Sequence, residues 1–189
     1  LGRAPIPLWF PFITLFFGIL YMQGNVTLPL DLQSHGLGPE KYGLAIAVNG
    51  TLIVLLTIPI SNMAVKWPRF ETISIAVIFS AIGFGFTAFA NTFVLFAISV
   101  VIWTIGEIMA TSVAPSIIAD LAPVELRGLY QGIFGSAWGL SFFIGPILGS
   151  WVYQTFGAAT LWSGCFLLGL VLSASYFALG KFSRTQKKL

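Results

Sequence analysis

Apolar residues run along the chain in six long blocks, at about residues 8–31, 40–61, 71–89, 92–119, 128–153 and 157–180. Each is long enough to cross a bilayer as a helix, which takes roughly 20 apolar residues. Polar and helix-breaking residues punctuate the pattern at Ser34-His35-Gly36-Leu37-Gly38-Pro39, at Lys66-Trp67-Pro68-Arg69 and at Ala122-Pro123-Val124-Glu125. The expected fold is an all-α membrane protein forming one domain over residues 1–189. The first three blocks are about as long as the last three, and an odd number of crossings turns the second set upside down. The chain therefore reads as two inverted three-helix repeats, an arrangement common in secondary transporters.

Composition changes the picture only by naming the solvent. Of 189 residues 57% are hydrophobic and 8% charged, against about a quarter charged in a soluble domain, so most of this surface faces lipid. The few basic residues then become topology signals. Arg3, Lys66, Arg69, Arg127, Lys181, Arg184, Lys187 and Lys188 fall on one side, and Lys41 alone on the other. That bias predicts cytoplasmic termini and an outer segment carrying His35 and Glu40, in a multi-pass protein of the cell membrane, read as a bacterial plasma membrane. Trp9, Trp67, Trp151 and Trp162 lie near block ends, where indole rings favour the interface. The formal charge of +3 forms no basic patch interleaved with aromatics, so nucleic acid is not an expected partner. The single Cys165 forms no intramolecular disulfide and matches no metal-ligand spacing, which leaves it a packing residue in a chain expected to hold neither metal nor cofactor. The chain starts at Leu1 without a methionine and reads as a fragment.

Chemistry concentrates in one residue. Asp31, Glu40, Glu71, Asp120 and Glu125 fall in loops or at block ends, whereas Glu107 lies mid-helix with no Lys or Arg in the interior of any block to neutralise it. An acid at the bilayer centre costs about 2.5–3.5 kcal/mol even on lenient insertion scales, so it is expected to face a cavity and carry function. Burial disfavours the charged form of any carboxyl, which suits such a group to proton exchange; the bland alternative is a packing carboxyl bonded to backbone. Trp103, Glu107 and Thr111 are spaced four apart, which brings an aromatic ring and a hydroxyl beside the acid and suits a lipophilic cation. Tyr21, Gln23, Asn25 and Thr27, with Asn49 and Thr51, place polar groups at membrane depth, either along a substrate path or as bridges between helices. Gln23 and Asn25 cannot share one helix face. Gly128, Gly132, Gly135 and Gly139 form a small-residue stripe continued by Gly145, Pro146 and Gly149, expected to pack tightly against a neighbouring helix or to slide and bend during gating. His35 reads as a surface residue.

Three stretches carry a family resemblance: Tyr21-Met-Gln-Gly-Asn-Val-Thr-Leu-Pro, Trp103-Thr-Ile-Gly-Glu107-Ile-Met, and Gly139-Leu-Ser-Phe-Phe-Ile-Gly145-Pro146-Ile-Leu-Gly149. With Ala119-Asp-Leu-Ala-Pro-Val-Glu-Leu-Arg127-Gly they resemble the C-terminal half of a major facilitator superfamily transporter, in its twelve-span drug/proton antiporter branch. The family's G-x-x-x-D-R-x-G-R loop does not occur, and the corresponding loop reads Ser61-Asn-Met-Ala-Val-Lys-Trp-Pro-Arg69, as a degenerate C-terminal copy would. The G-x-x-x-G-P-x-x-G pattern is met in part, on the helix that would be the eleventh. The resemblance implies alternating-access export of a small lipophilic or cationic substrate against protons. It further implies a partner, either an N-terminal six-helix half or a second copy, and a cytoplasmic gate at Asp120, Glu125 and Arg127. Proton-coupled uptake of a small solute and a non-transporting dimerising module remain the alternatives. An enzyme is disfavoured: the lone histidine is in a loop, no second acid lies deep, and no phosphate-cradling G-x-x-x-x-G-K-[ST] occurs.

Overall fold

A computed structural model describes residues 9–186, with side chains for residues 10–181. Arg3, Arg184, Lys187, Lys188 and the Trp9 indole, all part of the topology reading, lie outside the described side chains. All regular structure among the described residues is helical: α1 (Trp9–Ser34), α2 (Pro39–Ala64), α3 (Arg69–Thr87), α4 (Phe93–Leu121), α5 (Arg127–Phe156) and α6 (Ala158–Gln186), with a 3-10 turn at Val124–Leu126 before α5. Every one of the six is long and apolar enough to cross a membrane. Some outrun the apolar blocks, α1 to Ser34 and α2 to Ala64, because hydropathy marks the lipid-embedded stretch while the backbone keeps its ladder until a breaker intervenes. After α1 the breaker is Gly36, and between α5 and α6 it is Gly157; both have positive φ (73° and 84°), a conformation glycine enters without a Cβ clash.

The packing is reciprocal between the two halves of the chain. α1 lies mainly on α5, and α2 on α4. These are one contact with the repeats exchanged, as a pseudo-two-fold relation between α1–α3 and α4–α6 requires. Where the third helices of the repeats meet, Ser74 Oγ donates to Ser173 O at 3.1 Å and Ser173 Oγ donates to Ser74 O at 2.9 Å, a self-complementary clasp. The symmetry is imperfect, since α3 packs far more closely on α4 than α6 does on α1. That closeness comes from glycine: a Cβ on Gly83 would meet the backbone of Trp103, and one on Gly106 would meet Ala76 O and Ser80. Small residues that admit backbones to contact are how helices associate in lipid, where no hydrophobic force drives them together.

The glycine stripe of α5 divides in two. Gly145 and Gly149 are buried against Met22 and Gln23 of α1, with Pro146 between them half-buried. Gly128, Gly132, Gly135 and Gly139 are exposed and meet nothing within 4 Å, so the expected tight packing does not occur within this chain. Spacing puts the residues on one face, but what that face meets depends on neighbours. Trp162 also departs from expectation. It is fully buried, whereas Trp67 and Trp151 are exposed near helix ends.

Two apolar clusters fill the bundle. One gathers Phe10, Phe17, Ile73, Val113 and Tyr176, and the other gathers Leu20, Phe84, Phe96, Trp103 and Trp162. The second contains a stack of rings: Phe84 lies parallel to Trp103 (centroids 5.5 Å apart, 7°) and, on its other side, to Trp162 (6.1 Å, 3°). Glu107 sits at the midpoint of α4.

Candidate functional site

Three helices converge on Glu107. From α1, Tyr21 donates its hydroxyl to Glu107 Oε1 at 2.5 Å. From α2, Asn49 Nδ2 donates to Glu107 Oε2 at 2.9 Å and to Thr104 Oγ1, one turn earlier on α4, also at 2.9 Å. The carboxyl expected to lack a partner thus has two neutral donors, one on each oxygen. The sequence could not pair them because each pairing depends on how two distant helices are rotated.

One side of this cluster opens onto a cavity of about 410 Å³. Tyr21, Glu107 and Thr111 line it as expected, together with Phe17, Phe134 and Trp138. Trp138 of α5 is the main residue the sequence reading missed. It stands edge-on to both Tyr21 (5.8 Å) and Phe17 (6.2 Å) and walls the cavity. An aromatic residue in an apolar helix carries no local mark that separates a cavity wall from a lipid anchor. The lining is overwhelmingly apolar, with Glu107 as its one acid among the lining residues.

The remaining expected cavity residues lie elsewhere. Trp103 is buried on Phe84 and reaches the site only as an edge-on neighbour of Tyr21, at 6.1 Å. Positions four apart advance 40° around a helix, so Trp103, Glu107 and Thr111 turn progressively from core to cavity instead of sharing it. Gln23 is buried and bridges helices, donating to Ile19 O at 2.7 Å and to Gly145 O at 3.1 Å. Asn25 is exposed, away from Gln23, as their spacing required. Asn49 binds the carboxyl without lining the cavity. Thr111 donates to the Glu107 backbone carbonyl at 2.8 Å, leaving its side chain beside the acid but not bonded to it.

Toward the other end of α4, Asp120 is paired with Arg69 at the start of α3, and Arg69 also donates to Ser116 O at 3.1 Å. Of the other gate candidates, Glu125 in the 3-10 turn and Arg127 at the start of α5 are exposed. At the end of the bundle where α1 stops, Asp31 is buried, 1% exposed, and accepts from Trp162 Nε1 at 2.6 Å. His35 is exposed, as expected, with its ring edge-on to Phe96 (5.6 Å) and Nδ1 2.9 Å from Asp31 O.

The sequence profile of the Major Facilitator Superfamily matches residues 11–188. The chain is 30% identical over 172 residues to the uncharacterized MFS-type transporter YttB of Bacillus subtilis, covering 90% of this chain and 43% of that protein. It is 24% identical over 177 residues to the uncharacterized MFS-type transporter YqjV of the same organism, covering 89% and 43%. It is 24% identical over 110 residues to a Na(+), Li(+), K(+)/H(+) antiporter of Planococcus maritimus, covering 58% and 26%. The chain spans less than half the length of each of these relatives.

Proposed function

The chain belongs to the major facilitator superfamily of transporters, and from that premise we propose that it is the C-terminal six-helix half of a proton-coupled antiporter exporting lipophilic or cationic compounds. One observation carries the reading: a mid-membrane carboxyl, bonded only by neutral donors, opens onto an apolar, aromatic-walled cavity of about 410 Å³. A proton and a lipophilic cation would compete for Glu107, while Trp138, Phe134 and Phe17 offer ring faces to the cation's apolar body. Alternation between the two occupants is antiport.

The partner of this half is a six-helix N-terminal half. The exposed α5 stripe from Gly128 to Gly139 and the exposed α2 residues Val54, Leu55 and Ile58 supply apolar surface for a partner or for lipid. The charge bias sets both termini on the cytoplasmic side of a bacterial plasma membrane, with the Asp31 end outside.

The test is pH-gradient-driven uptake of a fluorescent lipophilic cation into inverted vesicles carrying the full-length transporter, wild type against Glu107→Gln at equal expression. Loss of gradient-driven transport in the variant is expected. Unchanged transport would return Glu107 to a packing role, and no movement of the cation by wild type would favour solute uptake. The similarity to a Na(+), Li(+), K(+)/H(+) antiporter of Planococcus maritimus favours one further reading, exchange of monovalent metal ions. Repeating the assay with Na⁺, Li⁺ and K⁺ in place of the dye separates the two.

A further inference from the structure

The end of the bundle away from Arg69 and Asp120 holds a second buried acid that the transport reading does not use. Asp31 is 1% exposed, and its carboxylate is reached from another helix by Trp162 Nε1 of α6 at 2.6 Å. On α1 itself, Ser34 Oγ donates to Asp31 O at 2.8 Å and lies 3.5 Å from Oδ1, and His35 Nδ1 stands 3.5 Å from Oδ1. The nearby charges of α2 turn elsewhere: Glu40 folds back over Gly38, and Lys41 Nζ sits 5.3 Å over the Phe93 ring. His35 is thus the charge-bearing group against Asp31, and Phe96 of α4 supports its ring from the other side.

The geometry assigns the hydrogen. Nδ1 faces the Asp31 backbone oxygen at 2.9 Å, and a carbonyl oxygen only accepts, so Nδ1 carries a hydrogen and Nε2 is the nitrogen left to exchange one with water. The side chain is about one-third exposed, at 34%, so a proton can reach Nε2 from water while the carboxylate behind it stays dry.

We propose that His35 and Asp31 form a second proton-binding site, coupled to Glu107 through the ring stack that Trp162 begins. When Nε2 takes a proton from water, an imidazolium faces Asp31 Oδ1 and competes with Trp162 for the carboxylate. Trp162 stacks on Phe84, Phe84 on Trp103, and Trp103 stands edge-on to Tyr21, whose hydroxyl binds Glu107. Three ring contacts and one hydrogen bond thus make a contiguous series from Trp162 to Glu107. Linkage makes the effect mutual: neutralising Glu107 shifts the protonation of the outer site by the same coupling.

The site's place in a transport cycle rests on the proposed function, but its test does not. Tryptophan emission of the full-length protein in nanodiscs is titrated with pH, and the Trp162 component is identified as the part lost in Trp162→Phe. A transition is expected in wild type and absent in His35→Gln, which keeps both Asp31 and Trp162; Asp31→Asn serves as the second variant. Glu107→Gln is expected to move the midpoint by about one pH unit. A transition that survives in His35→Gln and in Asp31→Asn would overturn the site, and a midpoint unmoved by Glu107→Gln would overturn the coupling. A coupled titration without proton-driven transport would sink the antiporter reading alone.

Discussion

Adding one methyl group at Gly106 tests whether the close approach of α3 and α4 is what holds Glu107 in place. A Cβ there would lie 2.5 Å from Ser80 Oγ and 2.8 Å from Ser80 N, and would also meet Ala76 O. Two of these three atoms are backbone and cannot rotate aside. Overpacking of this kind costs about 1–3 kcal/mol, offset by the roughly 1 kcal/mol by which alanine surpasses glycine inside a helix. With backbone on the receiving side the upper part of the range applies, so Gly106→Ala should lose about 1–2 kcal/mol net. The control is Gly132→Ala in the same 189-residue chain, where nothing lies within 4 Å and only the helix gain of up to about 1 kcal/mol remains. At roughly 2–4 °C per kcal/mol for a chain of this length, the two variants should separate by several degrees and in opposite directions from wild type. Thermal unfolding in detergent, followed by fluorescence-detected size exclusion, reads the difference. Equal destabilisation of both variants would refute the account of α3–α4 packing. Destabilisation by Gly132→Ala in the full-length protein only would locate the partner half on the α5 stripe.

Gln23→Leu removes the bond to Gly145 O that ties α1 to α5, along with the bond to Ile19 O within α1, and should lower stability by about 1 kcal/mol, while Asn25→Leu at its exposed position should be neutral; thermal scans of the pair decide this. Arg69→Ala and Asp120→Ala break an ion pair whose side chains are about half exposed (43% and 51%), so a double-mutant cycle should give a coupling below about 1 kcal/mol that fades as salt is raised. Asn49→Leu should weaken the dependence of dye export on the pH gradient more than Tyr21→Phe does, measured in inverted vesicles over a range of imposed gradients.

The helical spans and Glu107 were legible in the sequence for the same reason: lipid enforces both. A bilayer demands long apolar helices with satisfied backbones, and it makes one acid in a long apolar block conspicuous. The rest of the site depends on helix rotation, which hydropathy does not encode. Tyr21 and Gln23 lie two positions apart with similar polarity, yet one meets the carboxyl and the other meets Gly145 O. Asp31 was passed over because an acid at a block end ordinarily reaches water; it is buried because Trp162, 131 positions away, covers it. Arg69 read as a topology charge, although Pro68 begins α3 at a point that sets the guanidinium against Asp120.

On the proposed proton coupling, the hydrogen bonds around Glu107 tie its protonation to the position of a helix. As a carboxylate, Glu107 accepts from Tyr21 on one oxygen and from Asn49 on the other, so α1, α2 and α4 are held together at mid-membrane. A neutral carboxylic acid has one hydroxyl that must itself donate. If the proton sits on Oε1, the Tyr21 oxygen can turn to accept it, and that contact survives with its direction reversed. If it sits on Oε2, it meets the Asn49 amide nitrogen, which can only donate, and that contact fails. Asn49 retains Thr104 Oγ1 at 2.9 Å as the acceptor for one of its two amide hydrogens, so its release from the carboxyl frees a single N–H of a half-buried side chain. The α2 contact is therefore the one a proton can switch, and α2 is also the helix least buried within this chain. Loosely held on its outer side and tied to the acid by Asn49, α2 is the element whose movement would carry protonation of Glu107 to the rest of the transporter.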